Sequence, residues 1–377
     1  MKDANTHLNI ALLGHKRIPS REGGIEVVVE ELSTRMVRLG HQVTCFNRNG
    51  HHVSGDKFDG KKLTEYKGVH LQSVFTINRK GYAAMTSSIA ASFRAAFGKY
   101  DIVHFHAEGP CAMLWLPKLA GKRCIATIHG LDWQRAKWGG FASRYIKFGE
   151  RMAVKYADEI IVLSENVQEY FKATYGRDTK FIPNGVEKPQ IREADEIKKF
   201  SLEKDNYILY LGRLVPEKGV HYLIEAYRKV NTDKKLVIAG SASDTDGYVK
   251  QLIELASNDK RVVFTGFVQG RMLEELYSCA YVYVLPSDLE GMPLSLLEAM
   301  SYGNCCIVSN IPECTEVVED NAVTFIKSNV LDLKKKLQML LDMPGFVGEF
   351  RSLAAKYIVS KYNWDDVVEK TLEIYQK

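Results

Sequence analysis

Apolar residues along the chain fall into two kinds of run. Short blocks rich in Val and Ile alternate with longer stretches in which apolar positions return every three or four residues. The first half predicts strands at 8–13, 42–46, 69–73, 102–105, 124–128, 160–163 and 180–182. It predicts helices at 24–39, 83–97, 109–119, 141–156 and 166–175. The second half predicts strands at 207–211, 235–239, 262–265, 281–285, 305–308 and 322–325. Its helices are expected at 219–230, 247–256, 271–279, 293–301, 313–318, 331–341 and 346–360, with a last one at 365–375. Such alternation, with β-branched strands, implies parallel sheets covered on both faces. The pattern breaks at 183–201, where Pro183, Pro189 and the charged run IREADEIKKF read as a linker. The expected fold class is therefore α/β, with two doubly wound domains, 1–188 and 189–361. They are expected to face each other across a cleft that is the default ligand site.

Length and composition agree with this picture. At roughly 150 residues per domain, 377 residues suggest two domains. With 46% hydrophobic and 26% charged residues, the chain is not a disordered tail, a collagen-like repeat or a small disulfide scaffold. The seven cysteines include no C-x-x-C pair, and Cys45, Cys124, Cys305 and Cys306 sit in apolar runs. They read as buried and reduced, so a cytoplasmic protein is expected. The apolar run near the start is too short for a signal peptide or a membrane span, and no later run is long enough, so any membrane contact is expected to be peripheral.

Charge adds an asymmetry. The net +5 divides into +10 over residues 1–160 and −5 over 161–377. A basic half joined to an acidic half hints at an anionic partner without identifying it. No nucleic-acid-binding module is recognisable, and none is expected.

Four segments carry candidate chemistry. LPSDLEGMPLSLLEAMSYG (285–303) leaves a strand, crosses a loop and opens a helix near Pro293. Backbone amides around Gly291, Met292 and Leu294 then surround a helix N-terminus, an arrangement suited to phosphate. Glu290 lies on the loop and Glu298 inside the helix, placed to reach different parts of one long ligand. LGRLVPEKG (211–219) sets Arg213 and Lys218 after another strand, a fork and a point charge suited to a diphosphate. KRIPSREGGIEVVVEEL (16–32) offers Gly23 and Gly24 at a helix start, where a ligand can approach the backbone, though it is not G-x-G-x-x-G. ATIHGLDWQRAKWGG (126–140) places His129 at the end of a buried strand. His104 and His106 form an H-x-H on a strand, but no further ligand cluster follows, and no metal is expected. A literal D-x-D, Asp244 to Asp246, reads as a solvated loop or a helix cap.

Together with IPNGV (182–186) and FTGFV (264–268), these motifs resemble the retaining glycosyltransferases of family 4, which have the GT-B fold of two Rossmann-like domains. The resemblance covers nearly the whole chain. RIPSREGGIEVVVEEL and HGLDWQRAKWGG are similar to a bacterial surface-polysaccharide branch that includes rhamnosyltransferases. It implies a hexose or deoxyhexose moved from a sugar nucleotide to a glycan or polyprenyl-diphosphate-linked acceptor. A UDP-sugar is favoured, with GDP- and dTDP-sugars open, and no cofactor or metal is implied. Glu290 would hold the donor sugar at its anomeric centre and Glu298 the ribose. Arg213 and Lys218 would neutralise the diphosphate, aided by the segment Gly291, Met292, Pro293 and Leu294. His129 would contact the sugar from the first domain, Gly23 and Gly24 would border diphosphate and acceptor, and Phe267 and Val268 would flank the base. Asn184 would sit in the hinge segment. The helix within 362–377 would return to the first domain. A sugar-nucleotide epimerase of the same architecture and a non-catalytic nucleotide-sugar-binding protein are the competing readings.

One surface question stays open in the sequence. The helix at 141–156 carries Phe141, Tyr145, Phe148 and Met152 at helical spacing, flanked by Arg144, Lys147, Arg151 and Lys155. The stretch 79–99 combines Met85, Ile89 and Phe93 with basic residues in the same way. The aromatic stripes read first as core-facing. The alternative is a basic interfacial contact with an anionic membrane, on the inner face of the plasma membrane.

Overall fold

A computed structural model describes residues 7–49, 63–79, 82–134, 139–243 and 245–377. The chain divides into two compact units, Met1–Asn184 with Trp364–Lys377, and Gly185–Asn363. The division falls a few residues before the 188/189 boundary expected from the linker. The charged run lies wholly in the second unit, where Ile197 is buried and Glu275 accepts from the amides of Asp195 and Ile197.

Among the described residues the first unit carries eight strands: β1 Asn9–Leu13, β2 Gln42–Arg48, β3 Glu65–Tyr66, β4 Val69–Val74, β5 Ile102–His106, β6 Arg123–Ile128, β7 Glu159–Val162 and β8 Lys180–Phe181. Their order in the sheet is β3-β4-β2-β1-β5-β6-β7-β8, and all pairs are parallel except β3 with β4. That exception is a short edge hairpin, which the alternation of strands and helices did not predict. Lys67 and Gly68, both at positive φ, make its two-residue turn. The helices are α1 Gly24–Arg38, α2 Tyr82–Phe97, α3 Trp115–Leu119, α4 Gly140–Tyr156 and α5 Glu165–Tyr175. The helix expected at 109–119 is instead a 3-10 turn, Pro110–Met113, followed by the short α3. Pro110 and Pro117 lack the amides a continuous helix would use.

The second unit carries β9 Tyr207–Leu211, β10 Lys235–Ala239, β11 Val262–Gly266, β12 Val282–Leu285, β13 Cys305–Ser309 and β14 Val323–Phe325. Around them lie α6 Val220–Tyr227, α7 Asp246–Ala256, α8 Arg271–Cys279, α9 Leu294–Ser301, α10 Pro312–Val318, α11 Val330–Asp342 and α12 Pro344–Lys361. The sheet order is β11-β10-β9-β12-β13-β14, all parallel. The chain then leaves for the first unit as α13, Trp364–Gln376. There Tyr375 is buried and its hydroxyl meets His104 Nδ1 of β5 at 2.6 Å, which fixes α13 to the sheet. All seven cysteines are buried and free. Among the described residues no helix is long and apolar enough to cross a membrane.

The aromatic stripes do not face the core. The buried side of α4 is Ile146, Gly149, Glu150 and Ala153, whereas Phe141 and Phe148 are 80% and 47% exposed. A Cβ at Gly149 would stand 2.0 Å from the Glu108 carbonyl oxygen, so the helix lies too close to that loop for anything but small residues. α2 behaves likewise, burying Ser87, Ser88, Ala91, Ser92, Ala95 and Ala96 and leaving Phe93 exposed.

Candidate functional site

In the second unit the strand order reverses between β9 and β12. From β9 the chain steps outward to β10 and β11, then returns to β12 and steps the other way. Loops that leave neighbouring strands at such a point diverge, and a ligand crevice opens outside their carboxyl ends. The two loops there carry Arg213 and Lys218 after β9, and Glu290 after β12.

Several contacts bring these loops together. Gly219 takes φ +64, and a Cβ on it would stand 2.0 Å from the Pro286 carbonyl oxygen, so glycine alone fits. The Asp288 amide donates to the Glu217 carbonyl at 2.8 Å. Asp288 in turn accepts from Tyr222 Oη at 3.1 Å and Ser328 Oγ at 2.7 Å. Glu290 Oε1 receives both Lys218 Nζ, in an ion pair, and Ser287 Oγ at 2.6 Å. Both partners of the ion pair are largely buried. Ser309 Oγ donates to the Ser287 carbonyl, tying the loop to the end of β13. Arg213 sits on a continuation of β9 beside that of β10. Leu214 pairs with Ala242, and Tyr210 Oη donates to the Arg213 carbonyl at 2.9 Å.

Gly291, Met292 and Pro293 are buried at the entrance to α9. Pro293 is the residue before the helix, at φ −77 and ψ 100, and not its first turn as expected. It has no N–H, so the amides available at this terminus come from Met292 and the first helical residues, beginning with Leu294. Glu298 lies one turn further along α9. Tyr277, buried on α8, donates to Glu298 Oε2 at 3.1 Å and stacks on Tyr302 at 5.3 Å. Phe267 and Val268 follow β11, at the sheet edge, with Val268 buried.

The structure thus joins Lys218 to Glu290 by direct contact. It sets Arg213 and Glu298 on the same sheet end, and places Phe267 and Val268 on the outer strand.

The first unit contributes its own cluster where β1, β5 and β6 end. His129 follows β6, and its Nε2 meets His106 Nδ1 of β5 at 3.0 Å. His106 stacks on His104 at 4.3 Å. Both ring nitrogens of His104 are engaged, by Tyr375 Oη and by Thr127 Oγ1 at 2.7 Å, so the H-x-H is a packed core pair. Burial holds three imidazoles neutral: His104, His106, and His15, which follows β1 and meets Asn47 Oδ1 at 3.0 Å. His104 is pushed down to about 3 and His15 to about 4, while desolvation and the neighbouring His104, His129 and His15 hold His106 well below its ordinary value. Gly23 caps α1 in an extended conformation and Gly24 opens the helix. Both glycines lie beyond β1, with β5 between them and His129. Asn184 is buried as the last residue of this unit before the chain enters the second.

The sequence reading missed a second group. Glu108, just beyond β5, and Glu150 of α4 are both fully buried. Glu150 accepts from Tyr170 Oη at 2.9 Å, Trp133 Nε1 at 3.2 Å and Tyr175 Oη. Lys147 Nζ lies 3.6 Å from the Trp133 ring centroid and donates to Tyr170 Oη. Glu108 accepts from the Asp132 amide at 2.8 Å, and burial, reinforced by Glu150 and Asp132, raises its carboxyl well above the usual range. A carboxylate just past a strand end was the available signal. Asp244 and residues 135–138 lie outside the described residues. Asp246 opens α7, and the preceding Thr245 donates to the Leu214 carbonyl at 2.7 Å. Among the described residues no group of three or more His, Cys, Asp and Glu is placed to hold a metal.

Comparison with known proteins fits each unit. Residues 22–188 match the model described as Glycosyltransferase Family 4, and residues 192–360 the model described as Glycosyl transferases group 1. An uncharacterized glycosyltransferase of Methanocaldococcus jannaschii is 26% identical over 407 residues, covering 98% of each chain. The Escherichia coli enzyme named UDP-Gal:alpha-D-GlcNAc-diphosphoundecaprenol alpha-1,3-galactosyltransferase is 31% identical over 229 residues, 56% of this chain and 58% of its own length. Among solved structures, sucrose-phosphate synthase from Thermosynechococcus elongatus superposes with a TM-score of 0.82 at 21% identity, covering 98% of each chain, and shares the fold.

Proposed function

Because this chain belongs to the family 4 glycosyltransferases, with the GT-B architecture of two doubly wound domains, we propose that it moves a hexose or deoxyhexose from a sugar nucleotide to a lipid-linked glycan, with retention at the anomeric carbon, in surface polysaccharide synthesis. The observation that carries the reading is the Lys218–Glu290 pair, beside Arg213, at the switch point of the second unit. A diphosphate entering there competes with Glu290 for Lys218. Once the ammonium turns to phosphate, the Glu290 carboxylate is left to accept hydroxyls of the donor sugar. Arg213 and the N-terminus of α9 take the remaining phosphate charge. Glu298 holds the ribose, with Tyr277 fixing its carboxylate.

The bond from the anomeric carbon to the phosphate oxygen breaks, and its electron pair leaves on the diphosphate. The acceptor hydroxyl oxygen forms the new bond on the same face, and its proton passes to the departing phosphate oxygen. The site therefore supplies position and electrostatic stabilisation and needs no separate base. Side-chain cations and a helix terminus carry the diphosphate charge, so no metal is required. For His129, Gly23 and Gly24 of the first unit, the contacts with sugar, diphosphate and acceptor rest on the family resemblance alone. The name of the Escherichia coli relative, with its UDP-Gal donor and diphosphoundecaprenol acceptor, supports a UDP-sugar and a polyprenyl-diphosphate-linked acceptor. The likeness of segments 17–32 and 129–140 to rhamnosyltransferases supports a deoxyhexose, for which dTDP- or GDP-sugars are the alternative donors. An acceptor of that kind places the work at the cytoplasmic face of a membrane. The test is transfer from UDP-, GDP- and dTDP-sugars to such an acceptor, with EDTA present. Glu290→Ala is expected to abolish product while the protein stays folded, and full activity in that variant would remove the assignment.

A further inference from the structure

The two faces of the first unit's sheet differ in charge. α2, α3 and α4 lie on one face, where Ala91, Ala95 and Ala153 pack with Val103 and Phe105 of β5 in a single core. Lys122 Nζ donates to the Gly98 carbonyl at 2.8 Å, joining the segments that follow α3 and α2. The one carboxylate along these three helices, Glu150, is fully buried. Lys118 of α3 is paired with Asp158, just past α4, at 2.6 Å, which leaves Arg94, Arg144, Arg151 and Lys155 as the exposed cations of the face. α13, on the other face through His104 and Tyr375, exposes Asp365, Asp366, Glu369 and Glu373.

The basic face also shows large rings to solvent. Phe93 and Phe97 are 49% and 79% exposed and stack at 6.5 Å, and Phe141 and Phe148 stand out from α4 in alternation with the exposed Arg144 and Arg151. Lys147 is not part of this surface, since Trp133, Tyr170 and Glu150 engage it. Exposed carboxylates return on α5, with Glu165 and Glu169, which marks the edge of the patch.

We propose that the α2–α3–α4 face of the first unit is the surface on which the protein lies against an anionic membrane. The rings enter the boundary between headgroups and acyl chains, and the guanidinium groups meet lipid phosphates, a pairing that the absence of exposed carboxylates along these helices leaves unopposed. The inference deepens the reading of a lipid-linked acceptor, yet its test needs neither donor nor acceptor, so either can fail alone.

The test is co-sedimentation of the full chain with vesicles of phosphatidylcholine, with and without phosphatidylglycerol. Binding is expected only with the anionic lipid and is expected to weaken at high salt. Arg144→Glu with Arg151→Glu is expected to lower the partition coefficient about tenfold or more, and Phe93→Ser with Phe97→Ser to lower it as well. Lys370→Glu on α13 is expected to change nothing. All four positions on the patch are exposed, so melting curves should stay near wild type and confirm folding. Binding equal for both vesicle types, or unchanged in the charge-reversed variant, overturns the proposal. So does binding that depends on the arginines alone, because charge without ring insertion describes a soluble polyanion.

Discussion

Lys218 and Glu290 form an ion pair across the loops that leave β9 and β12, and the pair closes the place where a diphosphate is expected to sit. Each is the other's partner until a ligand arrives, so the pair keeps two largely buried charges satisfied in the free protein. Removing one side leaves the other charged and poorly solvated.

A double-mutant cycle follows from that pairing. Lys218→Met is expected to destabilise by about 2–3 kcal/mol, since Glu290 loses its cation but keeps the Ser287 hydroxyl. Lys218→Met combined with Glu290→Gln is expected to recover most of that loss while staying inactive. Urea unfolding of the four proteins measures the coupling, and additive single effects would contradict the pairing.

Gly219 tests the contact that sets the two loops. Its positive φ and the 2.0 Å approach of a Cβ to the Pro286 carbonyl oxygen leave an alanine no room. Gly219→Ala is expected to cost about 2 kcal/mol or more. Transfer is expected to fall further than stability alone explains, because Lys218 is the next residue. Melting temperature and turnover measured below the melting range would show this, and near-wild-type values in both would refute it.

Much of this was legible from residues whose type follows from their place. A strand that ends in Gly or Pro and gives way to a helix start is readable in LPSDLEGMPLSLLEAM and LGRLVPEKG, because parallel strands need apolar runs and helix starts need caps and glycines. Most of the helices came out within a few residues for the same reason. The faces of α2 and α4 were not legible. Burial there follows close approach to the sheet and loops, which selects Ala, Ser and Gly and turns the rings outward, so an aromatic stripe pointed to the wrong side. Glu108 and Glu150 were hidden because their environment is assembled from four separate segments.

Buried histidines give the fold an acid-side slope. Unfolded, each takes a proton near pH 6.5. Folded, His15 does so only at about 4 and His104 at about 3, so the unfolded state binds more protons between those values. Stability is therefore expected to fall as pH drops below 6.5, by about 3 kcal/mol by pH 4 for His15 alone. Urea midpoints across that window measure it. His104→Asn is expected to flatten the slope, and a level wild-type profile would contradict the burial argument.

Glu108 acts in the opposite direction. Its carboxyl is raised above the usual value by burial and by Glu150 and Asp132, so the folded state holds a proton that the unfolded state has released. Stability from this site is present below about pH 4.5 and is lost as pH rises through the folded value. Glu108→Gln keeps an acceptor for the Asp132 amide and removes the charge. It is expected to gain stability relative to wild type at pH 8 and none at pH 4, and an equal difference at both would show that the carboxyl does not titrate.

Donor binding can be read without knowing the acceptor. A ligand at about 100 times its dissociation constant adds roughly 2.7 kcal/mol to the folded state, enough to move the melting temperature visibly. A UDP-sugar is expected to produce that shift, with GDP- and dTDP-sugars as the comparison. Lys218→Met is expected to lose it because the diphosphate loses a cation. Tyr277→Phe, which leaves Glu298 without one donor, is expected to weaken nucleotide affinity about fivefold, within the roughly 1 kcal/mol of a single hydrogen bond. Because the Tyr277 hydroxyl bonds Glu298 and the Ser295 carbonyl, both on α9, that loss is expected for free nucleoside diphosphate as well as for the intact sugar nucleotide. A loss confined to the sugar nucleotide would move Glu298 from the ribose to the sugar.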